Sequence, residues 1–189
     1  NGFTSIMRDA SKLPYDENVA EVRKVVEACH AIGIPVEAEI GRIGGAEEHV
    51  VVSEREALMS DPDECVRFVA DGGFDFLAVA IGNAHGFYKG VPKLDFDRLD
   101  AIREKVSVPL VLHGASGIPD YQITQAVEHG IAKINIDTEI RYAFATTVRK
   151  FQEENPDQID PRKILKPAMA AMQAVVEHKI EIFKSAGRA

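Results

Sequence analysis

Two histidines stand where short apolar runs give way to glycine: His85 in Gly82-Asn83-Ala84-His85-Gly86 and His113 in Leu112-His113-Gly114-Ala115-Ser116-Gly117. Two neutral imidazoles converging at the ends of adjacent strands suit Zn²⁺ or a similar ion. A catalytic zinc usually takes three protein ligands and keeps one position open for substrate, so the pair is short of at least one donor. Asp9 or Glu39 supplies it, or a third histidine lies on a strand that these 189 residues do not contain. A lone histidine at a strand end is more often a hydrogen-bonded scaffold residue, but two in equivalent places, each followed by Gly, favour the ligand reading. His30, His129 and His178 fall in or at the ends of helical patterns and read as surface or packing residues, whereas His49 lies in a loop.

A second constellation joins Gly114-Ala115-Ser116-Gly117 to Asn135-Ile136-Asp137-Thr138, the latter running straight into a helical pattern. Backbone N–H groups in a small-residue loop and at a helix N-terminus attract anions, and in (β/α)8 barrels the loops after the last two strands commonly hold a phosphate. The simpler reading is that Gly114 and Gly117 make a turn and Thr138 caps a helix. A third feature, Gly41-Arg42-Ile43-Gly44-Gly45-Ala46-Glu47-Glu48, opens a connection running to about Ser53. That is long for a βα loop, and its glycines can act as hinges that carry Glu47 or Glu48 into a site as a proton-transfer group.

The elements that must position these residues alternate strand and helix. Strands are expected at 3–9, 35–40, 76–81, 109–113 and 132–137, and helices at 17–31, 63–70, 97–106 and 120–129, followed by two longer ones at 139–154 and 161–186. Pro14 and Pro62 precede helices that stop before Gly33 and Gly72, the usual placement of both residue types. A βαβα rhythm implies a parallel sheet covered by helices. Polar residues at period two near several strand ends (Glu37 with Glu39, Asn83 with His85, Asn135 with Asp137) put a polar face at the C-terminal ends of many strands. That is how a barrel builds its active site, whereas an open sheet keeps ligands near one switch point. The expected fold is therefore α/β, a TIM (β/α)8 barrel. A whole barrel needs about 250 residues and eight units. Five units are present, so the expectation is one partial barrel domain over 1–189.

Composition narrows the function classes. The chain is 46% apolar, and no apolar run approaches the roughly 18 residues that span a bilayer, so no membrane partner is expected. A formal charge of −8 without a basic stripe argues against nucleic acid. Cys29 and Cys65 lack metal or redox spacing and read as small buried hydrophobes. No signal sequence is legible, and a cytoplasmic enzyme is expected.

The segments GFTSIMRDAS, VEAEIGRIGG, LAVAIGNAHGFYKGVPKLDF, PLVLHGASGIP, KINIDTEIR and SAGRA resemble the class II fructose-bisphosphate and tagatose-bisphosphate aldolases, and the resemblance runs over the whole length. It implies that His85 and His113 are two of three catalytic zinc ligands, and that Asp9 and Glu39 belong to a second metal position for a divalent or monovalent cation. Gly86, Gly114, Ala115, Ser116, Asn135, Ile136, Asp137 and Thr138 then form the dihydroxyacetone-phosphate site, and Glu47 is the mobile-loop acid. The implied reaction is reversible cleavage of a ketose 1,6-bisphosphate through a zinc-stabilised enediolate, as in glycolysis, with homodimers or tetramers as the implied assembly. The family's Asp-His pair, which supplies the proton donor and the third zinc histidine, has no equivalent here. Three N-terminal βα units are therefore expected to lie outside this sequence. Two rival readings remain: a Schiff-base aldolase using Lys133, which shares strand parity with Asn135 and Asp137, and a non-catalytic fragment or assembly component whose unpaired strand edges must be covered.

Overall fold

The computed structural model describes residues 2–41, 44–45, 59–86, 88 and 90–188, with the backbone alone at residue 85. Strand and helix alternate as β1 (Ile6–Arg8), α1 (Tyr15–His30), β2 (Val36–Ile40), β3 (Gly44–Gly45), α2 (Pro62–Gly72), β4 (Phe76–Val79), β5 (Ala84–His85), α3 (Phe96–Lys105), β6 (Leu110–Leu112), α4 (Asp120–Glu128), β7 (Ile131–Ile134), α5 (Thr138–Glu154) and α6 (Pro161–Ile182).

The main sheet is parallel throughout and runs β1-β2-β4-β6-β7, in chain order and without a reversal. Successive right-handed crossovers in one direction put their helices on the same side, so the described strands have no switch point, against the open doubly wound alternative. The three central strands are buried almost throughout, while β1 and β7 at the sheet edges are partly exposed. Strands covered on both faces are the expected pattern of a parallel sheet under helices.

Register shows that the sheet curls. Glu39 lies beside Ala78, Ala78 beside Val111, and Val111 beside Lys133, so these four share a face. Glu37 joins that face by period two, as does His113. In a flat sheet β2 and β7 would stand about 14 Å apart, three strand spacings. Yet Lys133 Nζ lies 2.5 Å from Glu37 Oε2. The sheet must bend towards this face for the two to meet, as the wall of a barrel does, and the small Ala78 leaves room between them.

On the outer side α1 packs on α2 and α2 on α3. Phe68, Phe74, Leu99 and Ile102 fill the space against the apolar sides of the strands. The helix ends follow local chemistry: Asp61 accepts N–H bonds from Asp63 and Glu64 at the start of α2, with Pro62 at the first helical position, and Gly73 closes the helix at φ 69°. Asp95 and Asp160 cap α3 and α6 in the same manner.

Several boundaries differ from the sequence expectation. The first and last strands are shorter, ending at Arg8 and Ile134, so Asp9, Asn135 and Asp137 lie in the loops that leave the strands. The third ends at Val79 because Ser60 takes over the backbone of Ala80: Ser60 N donates to Ala80 O and Ala80 N donates to Ser60 Oγ. Helix α5 begins at Thr138 with Asp137 in the capping position, so Thr138 is not the cap. His85 does not end the strand before it. It lies in the separate short strand β5, where Gly45 pairs with His85 and Gly44 with Ala84. Both cysteines are free; Cys65 is fully buried, and burial pushes its thiol up to about 12.

Candidate active site

From an otherwise apolar strand, β2 offers two carboxylates, Glu37 near its start and Glu39 near its C-terminal end. Glu37 and Glu39 are each 2% exposed. Between them, from the residue after β6, comes His113: Nε2 lies 2.8 Å from Glu37 Oε1 and Nδ1 lies 3.0 Å from Glu39 Oε2. Burial pulls the imidazole pKa down, but hydrogen bonds and negative charge from Glu37 and Glu39 outweigh that and push it up to about 9. At neutral pH His113 is therefore an imidazolium held between two carboxylates. Burial likewise raises the Glu37 carboxyl, and the hydrogen bonds from His113 and Lys133 overcome it, leaving Glu37 below the ordinary carboxylate range. The buried Glu37 and Glu39 thus face His113, and the half-exposed Lys133 reaches Glu37 from the edge, so each buried carboxylate has a basic partner.

The cluster continues towards β1. Ser11 Oγ donates to Asp9 Oδ1 at 2.7 Å and stands 3.2 Å from Glu39 Oε1, while Ser11 N also donates to Asp9 Oδ1. Asn18 Nδ2 donates to the carbonyl of Glu39 and fixes the strand end from α1. The Ser11 hydroxyl thereby links Asp9 to Glu39, and Glu39 in turn contacts His113.

Those donor types, carboxylate oxygen and imidazole nitrogen, suit a divalent ion. Among the described residues, no three of His, Cys, Asp or Glu stand close enough together to hold one as they are. The geometry explains this: both ring nitrogens of His113 are spent on carboxylates, and an incoming ion must replace one of those contacts. The residues fit the ion by type and by neighbourhood. The side chain of His85 lies outside what is described, but its backbone stands one loop away. Tyr88 links that loop to the next: its hydroxyl accepts from Ala84 N at 2.7 Å and donates to Gly114 O at 2.9 Å. Asn83 does the same from beneath, donating to the carbonyl of His113 at 3.0 Å while its Oδ1 accepts from Ile81 N.

The loop after β6 carries the small-residue run. Gly114 and Gly117 take φ of 59° and 80°, which side chains resist, and Ala115 and Ser116 are buried. Next to it Asn135 donates its N–H to Leu112 O, and the exposed Asn135 and Asp137 flank the half-buried Ile136 and Thr138 at the start of α5. Asp137 makes no capping hydrogen bond; its carboxylate accepts from Arg141 Nε at 2.7 Å instead. The two segments adjoin, since Glu139 N donates to Ser116 Oγ. A glycine loop beside a helix N-terminus is suited to an anion. Gly86, with φ of 87°, closes the loop that β5 belongs to.

Glu47, Glu48 and His49 lie outside the described residues. His30, His129 and His178 are partly exposed and pair with Asp75, Asp100 and Asp120. Sequence reasoning put Glu37 and Asn83 on the polar face without a role, gave Lys133 a part only in the rival Schiff-base reading, and passed over Tyr88. The glutamates at period two inside VEAEI were the legible signal for Glu37, because a charge on a buried strand must have a partner.

Comparison with known proteins agrees with this geometry. A profile of the family described as "Fructose-bisphosphate aldolase class-II" matches residues 1–188. The fructose-bisphosphate aldolase of Thermus caldophilus is 46% identical over 211 aligned positions, which take in all of this chain and 69% of that protein. Among solved structures, the YdjI aldolase from Escherichia coli K12 superposes with a TM-score of 0.84 at 41% identity, over all of this chain and 64% of that one. The fructose-bisphosphate aldolase from Campylobacter jejuni gives 0.75 at 25% identity, over 96% and 61%. The chain thus spans under two thirds of the length of these two solved structures. With its parallel sheet in chain order, its buried Glu-His-Glu cluster and its glycine loop, this chain belongs to the class-II fructose-bisphosphate aldolase family.

Proposed function

We propose that these residues form the metal- and phosphate-binding part of a class II aldolase site that cleaves a ketose 1,6-bisphosphate, fructose 1,6-bisphosphate in the first instance, to dihydroxyacetone phosphate and glyceraldehyde 3-phosphate. The observation that carries this reading is His113 clamped between Glu37 and Glu39 at the strand ends, one residue before the Gly114–Gly117 loop. His85 and His113 are the proposed zinc ligands, with Asp9 and Glu39 at a second cation position. A divalent ion bound there supplies Lewis-acid polarisation of the substrate carbonyl.

The chain's own groups do the rest. Backbone N–H groups of Gly114, Ala115 and Ser116 and the start of α5 bind the phosphate, and Gly86 lets the substrate approach the backbone closely. Asn135 and Asp137, exposed on the same rim, orient the substrate hydroxyls, and Ile136 and Thr138 shape the floor beside them. Glu47 moves a proton at the carbon next to the carbonyl. The third histidine and the acid that serves the leaving aldehyde come from strands that precede β1 in a complete barrel, so this chain is one partial domain and depends on that part for activity. Small phosphorylated sugars are the proposed ligands, and the proposed assembly is a cytoplasmic homo-oligomer.

Lys133 is a poor Schiff-base nucleophile in this reading, because its ammonium is paired with the buried Glu37. A coupled assay with fructose 1,6-bisphosphate, run with the chain, with the chain plus the N-terminal portion of a related aldolase, and with each after chelation, tests the proposal. Chelator-sensitive cleavage that needs both parts is expected. Cleavage that survives exhaustive chelation with borohydride-trapped substrate on Lys133 overturns it.

A further inference from the structure

Among the described residues Lys179 is the only buried lysine or arginine, 6% exposed, and it lies far along the chain from the strand-end cluster. A buried ammonium is costly unless paired, so its position has to be explained by its partners. From α6 its Nζ reaches Glu139 Oε2 at 2.8 Å, with Asp120 Oδ1 at 4.0 Å. Glu139 is the second residue of α5. Its other carboxylate oxygen, Oε1, accepts the N–H of Gly117 at 2.5 Å, and its own N–H donates to Ser116 Oγ at 3.4 Å.

The Glu139 side chain therefore grips the far end of the glycine loop at Gly117, its backbone N–H reaches the Ser116 hydroxyl, and a buried lysine from the C-terminal helix holds the carboxylate. Gly117 needs the grip. At φ 80°, without a Cβ, nothing in its own sterics selects this conformation over others. We propose that Glu139 and Lys179 are a positioning pair that sets the shape of the Gly114–Gly117 loop, and that α6 thereby governs how tightly the loop holds a phosphate group. The second half rests on the phosphate reading proposed above; the first half does not.

Amide hydrogen exchange and inorganic phosphate binding on the full chain separate the two. In Lys179→Met the amides of Ser116 and Gly117 are expected to exchange at least about tenfold faster while Val111 in β6 stays protected, because only the local clamp is released. Phosphate should bind about tenfold more weakly, and Lys179→Arg should restore both values. Glu139→Gln, which keeps an oxygen for Gly117 but weakens the ion pair, should fall between them, and it serves if the methionine variant does not fold. Faster exchange together with wild-type protein that binds no phosphate would support the clamp and end the phosphate reading. Unchanged exchange at Ser116 and Gly117 in a folded Lys179→Met protein overturns the proposal, as does loss of protection spread evenly over the sheet.

Discussion

Nδ1 of His113 meets Oε2 of Glu39 at 3.0 Å where the two side chains are 4% and 3% exposed, so the imidazole expected as a ligand is held by buried carboxylates that push its pKa up. The contact also joins the two ends of the candidate site, because the same glutamate touches Ser11 and, through it, Asp9. A metal ion that enters here must take the place of a proton on the ring.

Stability of the metal-free chain should depend on this proton. The folded pKa of His113 is raised from 6.5 to about 9, so its contribution is complete below 6.5 and is lost as pH rises through about 9. Melting temperature measured across that window should fall with increasing pH. In His113→Asn the fall should be largely absent; an unchanged slope would show that another group is responsible.

Glu37 is the hub of the cluster. Glu37→Ala leaves His113 and Lys133 without their shared anion, and loss of one partner from a buried pair typically costs about 3–5 kcal/mol. Lys133 is about half exposed, so Lys133→Met should cost only about 1 kcal/mol. Urea denaturation of both variants checks the order. A larger loss in the lysine variant would contradict the pairing described here.

Zinc titration should stabilise the chain weakly, since one proposed ligand lies outside it. Stabilisation follows mass action, so a tenfold excess over Kd gives about 1.4 kcal/mol. His113→Ala should abolish the thermal shift, and the chain alone should cleave no fructose 1,6-bisphosphate at an ordinary enzymatic rate. Normal turnover by the chain by itself would mean that residues within it replace the absent ligand and acid.

Ser60 provides a test outside the Glu37–His113–Glu39 cluster. It is fully buried, donates to Ile40 O at 2.7 Å and accepts from Ala80 N at 2.8 Å, joining the ends of β2 and β4. Ser60→Ala strands both backbone groups and should cost about 2 kcal/mol. Calorimetry that finds Ser60→Ala as stable as the wild type would mean that water or a backbone shift satisfies them.

Much of the architecture was legible because it follows from local rules. The alternation of apolar runs with helical patterns, and prolines and glycines at the helix ends, placed five strands and their helices within a few residues of where they fold. Polar residues at period two marked the face on which the buried cluster forms, and VEAEI carried the strongest mark. Strand ends were less legible: that β4 stops at Val79 depends on Ser60, which lies before the strand in sequence and was unremarkable there.

Residue types and spacing determined the parallel α/β fold and the need for partners around two strand glutamates, and they singled out the His113–Gly117 segment as a candidate. Tertiary structure decided who those partners are. Glu37 reaches Lys133 across β4 and β6, and Glu139 reaches Gly117 and Lys179 across 22 and 40 positions of chain. Periodicity reports which face a side chain takes, but the distance between strands three places apart is set by how far the sheet curls, and curvature belongs to the whole sheet rather than to any one segment.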